Sequence, residues 1–284
     1  MRERRIIQAL VLGALAAASP TSAFAQSPPD LRDLMHARNF GMGGAYRAHG
    51  LGAEAAFGNP AAVGLYRRYQ LDLSGAWDAT HKFGFGTLAI VDSATSNLAA
   101  GIAYHFASVG RGSEHTNVHL NTAAFALPFG QALHLGVSAR HLLMNGATEA
   151  NAVTMDAGAL VRLGGFAVSF SGHNLVDVHN PLLSRFYNLG VAYLGGLFTA
   201  ALDVRADFGG PSPLLSYAGG VEYIIGAGLP LRAGYTTEPA QGQQWLSAGV
   251  GIITEGGGLD VAYRHELGGL TGRLIALTLK MQVQ

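Results

Sequence analysis

Cysteine is absent from all 284 residues, which excludes disulfides and a lipid anchor attached through a thiol. Lysine is nearly absent: only Lys82 and Lys280 occur, beside sixteen arginines, although lysine is the residue that soluble sheets use to guard their edges. Charged residues make up 13% of the chain, about half the usual share of a soluble domain. Neither sign is in excess, with 18 basic against 18 acidic residues, so there is no positive field to attract nucleic acid, and a nucleic-acid partner is set aside. A helical membrane span is also missing, because the apolar run Ile6 to Ala18 has roughly 13 residues where a bilayer core needs about 20. What the chain does have in quantity is glycine, 40 residues, roughly twice the average share.

The apolar run has another explanation. Arg2, Arg4 and Arg5 precede it, and the small-residue pattern Ala23, Phe24, Ala25 closes it. That is the layout of a secretory signal peptide. Cleavage is expected after Ala25, leaving one exported domain.

From Tyr69 onward, segments of about ten residues alternate between an apolar row and a small or polar row, the period of strands. Tyr69, Leu71, Leu73, Gly75 and Trp77 oppose Gln70, Asp72, Ser74, Ala76 and Asp78. Leu133, Leu135, Val137 and Ala139 oppose His134, Gly136, Ser138 and Arg140, and Leu259, Val261 and Tyr263 oppose Asp260 and Arg264. Short turns are expected at 93–97, 129–131, 145–146, 164–165, 195–196, 226–228 and 256–258. Longer polar connections centre on 108–116, 176–183, 208–215, 238–243 and 266–271. Short turns on one rim and longer loops on the other are the layout of an outer-membrane barrel.

A soluble sandwich or lipocalin-like barrel also alternates, but its polar row meets water and is charged. Here that row is mostly Gly, Ala, Ser and His with an occasional Arg or Asp, which fits a crowded lumen with paired charges. Aromatics toward strand ends, Tyr69 with Trp77 and Tyr217 with Tyr223, fit interfacial girdles. The expected fold is all-β: a transmembrane antiparallel β-barrel of about 14 strands, with outer-membrane lipid as its surroundings. The inward charges Arg140, Asp156, Arg162, Asp203, Arg205, Glu222, Arg232, Asp260 and Arg264 are read as a salt-bridged ladder that lines the lumen and tunes selectivity.

Between the cleavage site and Tyr69 the alternation is missing. Gly41, Gly43, Gly44 and Ala45 are followed by Ala55, Ala56 and Phe57, then by Asn59, Pro60 and Ala61, then by Gly64 and Leu65. Pro60 fixes its own φ and pushes Asn59 toward extended geometry, so the pair is expected to pin this segment to the first strand. The stretch resembles the FadL and PorV superfamily, in which a Gly-rich opening and an Asn-Pro-Ala signature lead from an N-terminal hatch into a 14-stranded barrel. The resemblance implies three parts: residues 1–25 as signal peptide, 26–68 as hatch and 69–284 as barrel. It implies either passive passage of small hydrophobic compounds such as fatty acids, or a non-transporting barrel that serves a secretion-system or surface protein partner. The chain departs from the fatty-acid channels in its shorter loops and in ending Lys280 to Gln284 without a terminal aromatic.

No cofactor is expected. Gly41 to Tyr46 begins like a dinucleotide fingerprint but lacks its third glycine and has no strand before it. His115 and His119 beside Glu114, and His173 with Asp177 and His179, are considered as metal ligands and read instead as solvated loop or lumen histidines. Ser138, His134 and Asp156 share an inward row, but nothing resembles a nucleophile elbow. The chain is therefore not read as an enzyme.

Overall fold

The computed structural model describes residues 35–80, 83–109, 113, 115–210, 212–267 and 272–283. The expected signal peptide, the cleavage expected after Ala25, and Glu114 lie outside the described residues. Fourteen strands follow one another in sequence: β1 Tyr69–Asp78, β2 Phe83–Asp92, β3 Ala99–Val109, β4 Thr116–Phe129, β5 Leu133–Gly146, β6 Ala150–Leu163 and β7 Phe166–His173. The second half comprises β8 Phe186–Gly195, β9 Phe198–Asp207, β10 Leu214–Ile225, β11 Leu229–Glu238, β12 Gln243–Thr254, β13 Gly257–Glu266 and β14 Arg273–Val283. Each pairs antiparallel with its neighbours, and β1 closes on β14 from Tyr69↔Val283 to Asp78↔Leu274. The fold is thus an all-β, closed, 14-stranded antiparallel barrel.

The commonest strand length, ten residues, decides what the wall can cross. At about 3.4 Å per residue and a tilt near 40°, such a strand rises about 26 Å, the height of an outer-membrane barrel's apolar band. The outward rows supply that band, with Ile102, Val153, Leu189, Leu202, Leu246 and Ile275 all exposed. Exposed Tyr69, Phe129, Phe166, Tyr193, Phe198 and Tyr223 stand near one rim, and Trp77, Tyr217, Tyr235 and Tyr263 nearer the other. These two belts suit headgroup depth. The rim that holds the start of β1 and the end of β14 also holds the short turns, here termed the terminal rim; the other is the loop rim. The expected turn at 145–146 belongs to the loop rim, because β5 runs upward to Gly146 and β6 returns from Ala150. Its Gly146, at φ 128, gives a tight turn whichever rim it occupies, so turn length alone did not assign the side.

The lumen is occupied by the chain's own N-terminal part. Helix α1, Ala37–Gly41, is followed by a 3₁₀ turn at Gly52–Glu54, helix α2 at Ala55–Gly58 and a second 3₁₀ turn at Pro60–Gly64. From Met35 to Val63 every residue is buried except the half-buried Leu51. This inner segment cannot cap its own first helix, and the wall does so: the Ala37 N–H donates to Thr278 Oγ1 at 2.8 Å.

Candidate functional site

The inner segment is fastened to one side of the wall by buried ions. Arg38 of α1 donates Nε and Nη2 to the two oxygens of Glu222 on β10, at 3.0 and 2.9 Å, and Nη1 to Glu54 at 3.0 Å. Glu222 also accepts from Arg232 Nε at 2.6 Å, and Arg232 Nη1 donates to Asp260 at 2.7 Å. Lys280 on β14 closes the circuit, 3.1 Å from Asp260 and 3.9 Å from Glu54. Three cations face three carboxylates, so burial is compensated pair by pair. Burial alone would push the Glu54 carboxyl up, but Lys280 and Arg38 outweigh it and hold it below the usual range. Burial likewise works against the Arg38 charge, and Glu222 and Glu54 overcome it, so Arg38 stays firmly protonated. His36 stands beside the circuit with Nδ1 3.2 Å from Asp72.

A second group ties the segment to β5–β7. Asp156 lies 2.6 Å from Arg140 Nε and 3.2 Å from His173, and accepts from Ser138 Oγ at 3.1 Å. Arg140 Nη2 donates to the Phe57 carbonyl at the inner segment's α2, at 2.6 Å. A third group centres on Asp203, whose Oδ2 accepts the N–H groups of Tyr46 and Arg47, each at 3.1 Å. Burial pushes the Tyr46 phenol up to about 12, so it stays neutral beside that carboxylate.

Around the inner segment the nine inward charges stand in separate groups. Arg205 pairs with Glu238 at 2.7 Å, while Arg162 lies over the Tyr66 ring and Arg264 over Trp245. A cavity of about 20 Å³ remains between Gly43, Gly44, Arg47 and the wall at Asn188, Asp203 and Thr236. Arg38 and Glu54 sit in short helical turns and His36 directly before one, without periodicity. Their spacing in the sequence gives no sign that they converge.

The glycines and the Asn-Pro-Ala signature set the closeness of fit. Gly43 and Gly44 take φ 65 and 83, and a Cβ at Gly43 would meet Tyr235 N at 2.7 Å and Gly219 O at 2.9 Å. A Cβ at Gly41 would meet Gly249 Cα on β12 at 3.2 Å. Asn59 accepts from Ala61 N and donates to Arg47 O, both at 3.1 Å. A side chain at Gly136 would strike Pro60 and Ala61, and one at Gly158 would strike Asn59. The signature thus seats against β5 and β6, not against the first strand, because the inward glycines Gly136 and Gly158 leave room for it there. Replacing Asn59 and Pro60 together by Ala removes both side-chain bonds and the fixed φ. Protease nicking of the inner segment in folded protein is expected to speed up several-fold, with the barrel's gel mobility unchanged.

One property of the lumen was not visible as alternation. In its loop-rim half the inward row of β2–β6 is apolar: Phe85, Val109, Val118, Leu120, Leu142 and Met144 form one buried cluster. Phe40, Met35 and Tyr46 of the inner segment close it from below, and Leu183, from the β7–β8 connection, packs on it from above. Barrel lumens are ordinarily polar. Here the largest ion circuit lies on β10–β14, the Arg140–Asp156 pair stands on β5 and β6, and the apolar cluster fills the loop-rim half of β2–β6.

The histidine readings separate. His115 shares a hydrogen bond with Ser108 at 2.8 Å, and His119 with the Tyr104 hydroxyl at 2.8 Å on the outer face of β3–β4, stacked on the Tyr104 ring. His119 is thus neither a loop nor a lumen residue. Asp177 and His179 stand exposed 3.9 Å apart, away from His173, which is buried against Asp156. Ser138 and Asp156 do meet, but His134 lies lower on β5, facing Gly64.

No family model and no curated protein matches the sequence. Solved structures do match. The Ralstonia pickettii toluene transporter TbuX superposes with a TM-score of 0.69 and 12% identity over 88% of this chain and 98% of that one. A Pseudomonas aeruginosa FadL homologue gives 0.64 and 11% over 92% and 99%, and the Pseudomonas putida toluene transporter TodX gives 0.60 and 13% over 92% and 99%. The chain thus has, over most of its length, the fold of the FadL-type outer-membrane barrels.

Proposed function

We propose that this protein is a channel of the outer membrane that lets small hydrophobic compounds pass, with the inner segment acting as its hatch. The apolar inner wall of β2–β6 carries the reading. A pore for sugars or ions gains nothing from burying Phe85, Leu120, Leu142 and Met144 inward, since polar solutes lose hydration there without recompense. A hydrophobic solute gains on the order of 25 cal/mol for each Å² it hides. The solved structures described as toluene transporters share the fold, which supports a cargo of that class. The ion circuit on β10–β14 fastens one side of the hatch, and the Arg140–Asp156 pair on β5 and β6 fastens it beside the apolar cluster.

In proteoliposomes, uptake of a fluorescent naphthylamine is expected to exceed the protein-free rate by about tenfold, while sucrose stays excluded. Equal rates for the naphthylamine with and without protein would reject the channel. A second reading is favoured by the filled lumen: a closed barrel that scaffolds a secretion or surface protein and conducts nothing. That reading predicts the second outcome.

A further inference from the structure

At the terminal rim an aromatic ring stands between two cations. Tyr66 is half-buried, with the Arg68 guanidinium over its ring at 5.4 Å and the Arg162 guanidinium at 5.8 Å. Arg68 directly precedes β1, and Arg162 lies next to the last residue of β6, so two separate parts of the wall reach the same ring.

The carboxylates that act on Arg68 are engaged elsewhere. Glu54 is held by Arg38 and Lys280, and Asp72 by His36. Arg68 itself donates only long bonds, from Nη1 to Gln70 Oε1 at 3.3 Å and to Gln282 Oε1 at 3.4 Å, and its Nε is buried without an acceptor. Burial pulls its pKa below the ordinary guanidinium value, as expected of a cation that water has left and no anion has joined. A third donor stands beside Arg162. In the β5–β6 register His134 faces Leu160, which makes it the diagonal neighbour of Arg162 on the inner face. His134 is 6% exposed, and its Nδ1 has no hydrogen-bond partner.

Two guanidinium groups and an imidazole thus border one ring, at the rim that outer-membrane barrels turn to the periplasm. A guanidinium held by its face keeps its N–H edge free to fork onto an oxyanion. One such fork satisfies a planar carboxylate, whereas donors arriving from several directions suit the tetrahedral oxygens of a phosphate.

We propose that this mouth binds a phosphate group, with Arg68 and Arg162 gripping its oxygens, His134 as a third donor and Tyr66 as the face that orients both guanidinium planes. The phosphate belongs to an inner-leaflet phospholipid headgroup or to a soluble periplasmic compound. The site goes beyond the channel reading and does not depend on what the lumen conducts.

The full chain in dodecyl maltoside, a detergent without phosphate, is titrated with inorganic phosphate and followed by phosphorus NMR line broadening. In a second arm it is mixed with phosphatidylglycerol and its bound lipid is read by native mass spectrometry. Arg68→Gln and Arg162→Gln should each weaken the probe that binds by about tenfold, the loss of one charge-assisted fork. Arg162→Lys, which keeps the charge without the fork, should lose about threefold, and Tyr66→Leu about threefold through its missing ring face. Arg67→Gln is the control, since that exposed guanidinium is engaged by Ala94 O and Asn97, and it should bind as wild type does.

Phosphatidylglycerol retained by wild type and lost by Arg162→Gln, with inorganic phosphate unbound, would support the site and assign it to a lipid headgroup. Inorganic phosphate bound, with no lipid retained, would support it and assign it to a soluble phosphate. No binding of either probe by wild type, or equal binding by wild type and by Arg68→Gln/Arg162→Gln, with heat-modifiable barrels throughout, would overturn it.

Discussion

Glu222→Ala is expected to cost about 3–5 kcal/mol of stability, the penalty for leaving a buried charge without its partner. Glu222 accepts from two arginines at once, Arg38 of the hatch and Arg232 of β11. Its loss leaves Arg38 with Glu54 and Arg232 with Asp260, so the circuit holds one more cation than carboxylates. Urea titration of folding into liposomes reads the loss as a lower midpoint. Glu222→Gln keeps the shape and acceptor oxygen and should recover part of it. A shift below about 1 kcal/mol, the size of an exposed pair, would mean that the network does not hold the hatch.

Gly220→Val with Gly234→Val is expected to expel the hatch. A Cβ at Gly220 would fall on the Met42 carbonyl, and one at Gly234 on the backbone of Met42 and Gly43. Backbone on both sides cannot yield as a flexible side chain would, and overpacking costs about 1–3 kcal/mol per site. The outward rows and strand registers are untouched, so the barrel should still form and still shift mobility on boiling. The hatch should become protease-sensitive, and naphthylamine uptake should rise about tenfold above wild type. Gly256→Val serves as control, since nothing lies near its Cβ. Unchanged protease resistance in the double variant would show that the hatch is not held where these glycines place it.

The wall was legible in the sequence because a lipid-facing row against a small or polar row leaves a period of two. Tyr69 to Asp78 reads correctly residue by residue. The periodicity fails where both rows turn apolar: after Arg140 the inward row continues as Leu142 and Met144 beside the outward Leu143, and the greasy half of the lumen vanishes into a uniform run. The early end of β7 at His173 was equally hidden, since it is set by Asn174, which takes φ 54 and donates its N–H to Asp156 on β6, a contact that no local pattern announces. In the hatch, Asn59 and Pro60 announced a constrained turn, but the glycines that receive them, Gly136 and Gly158, lie about 80 to 100 positions later. Arg38, Glu54 and Lys280 meet only once the barrel has closed, so sequence spacing carries no trace of their contact.

The measurement that bears most directly on the central claim, a closed barrel seated in the outer membrane, is fractionation of cells expressing the protein, followed by a gel of boiled and unboiled detergent extracts. The account predicts that the chain is found in the outer membrane and runs faster unboiled than boiled, because a closed 14-strand ladder resists cold detergent. A protein found soluble in the periplasm, with one mobility under both conditions, would contradict it.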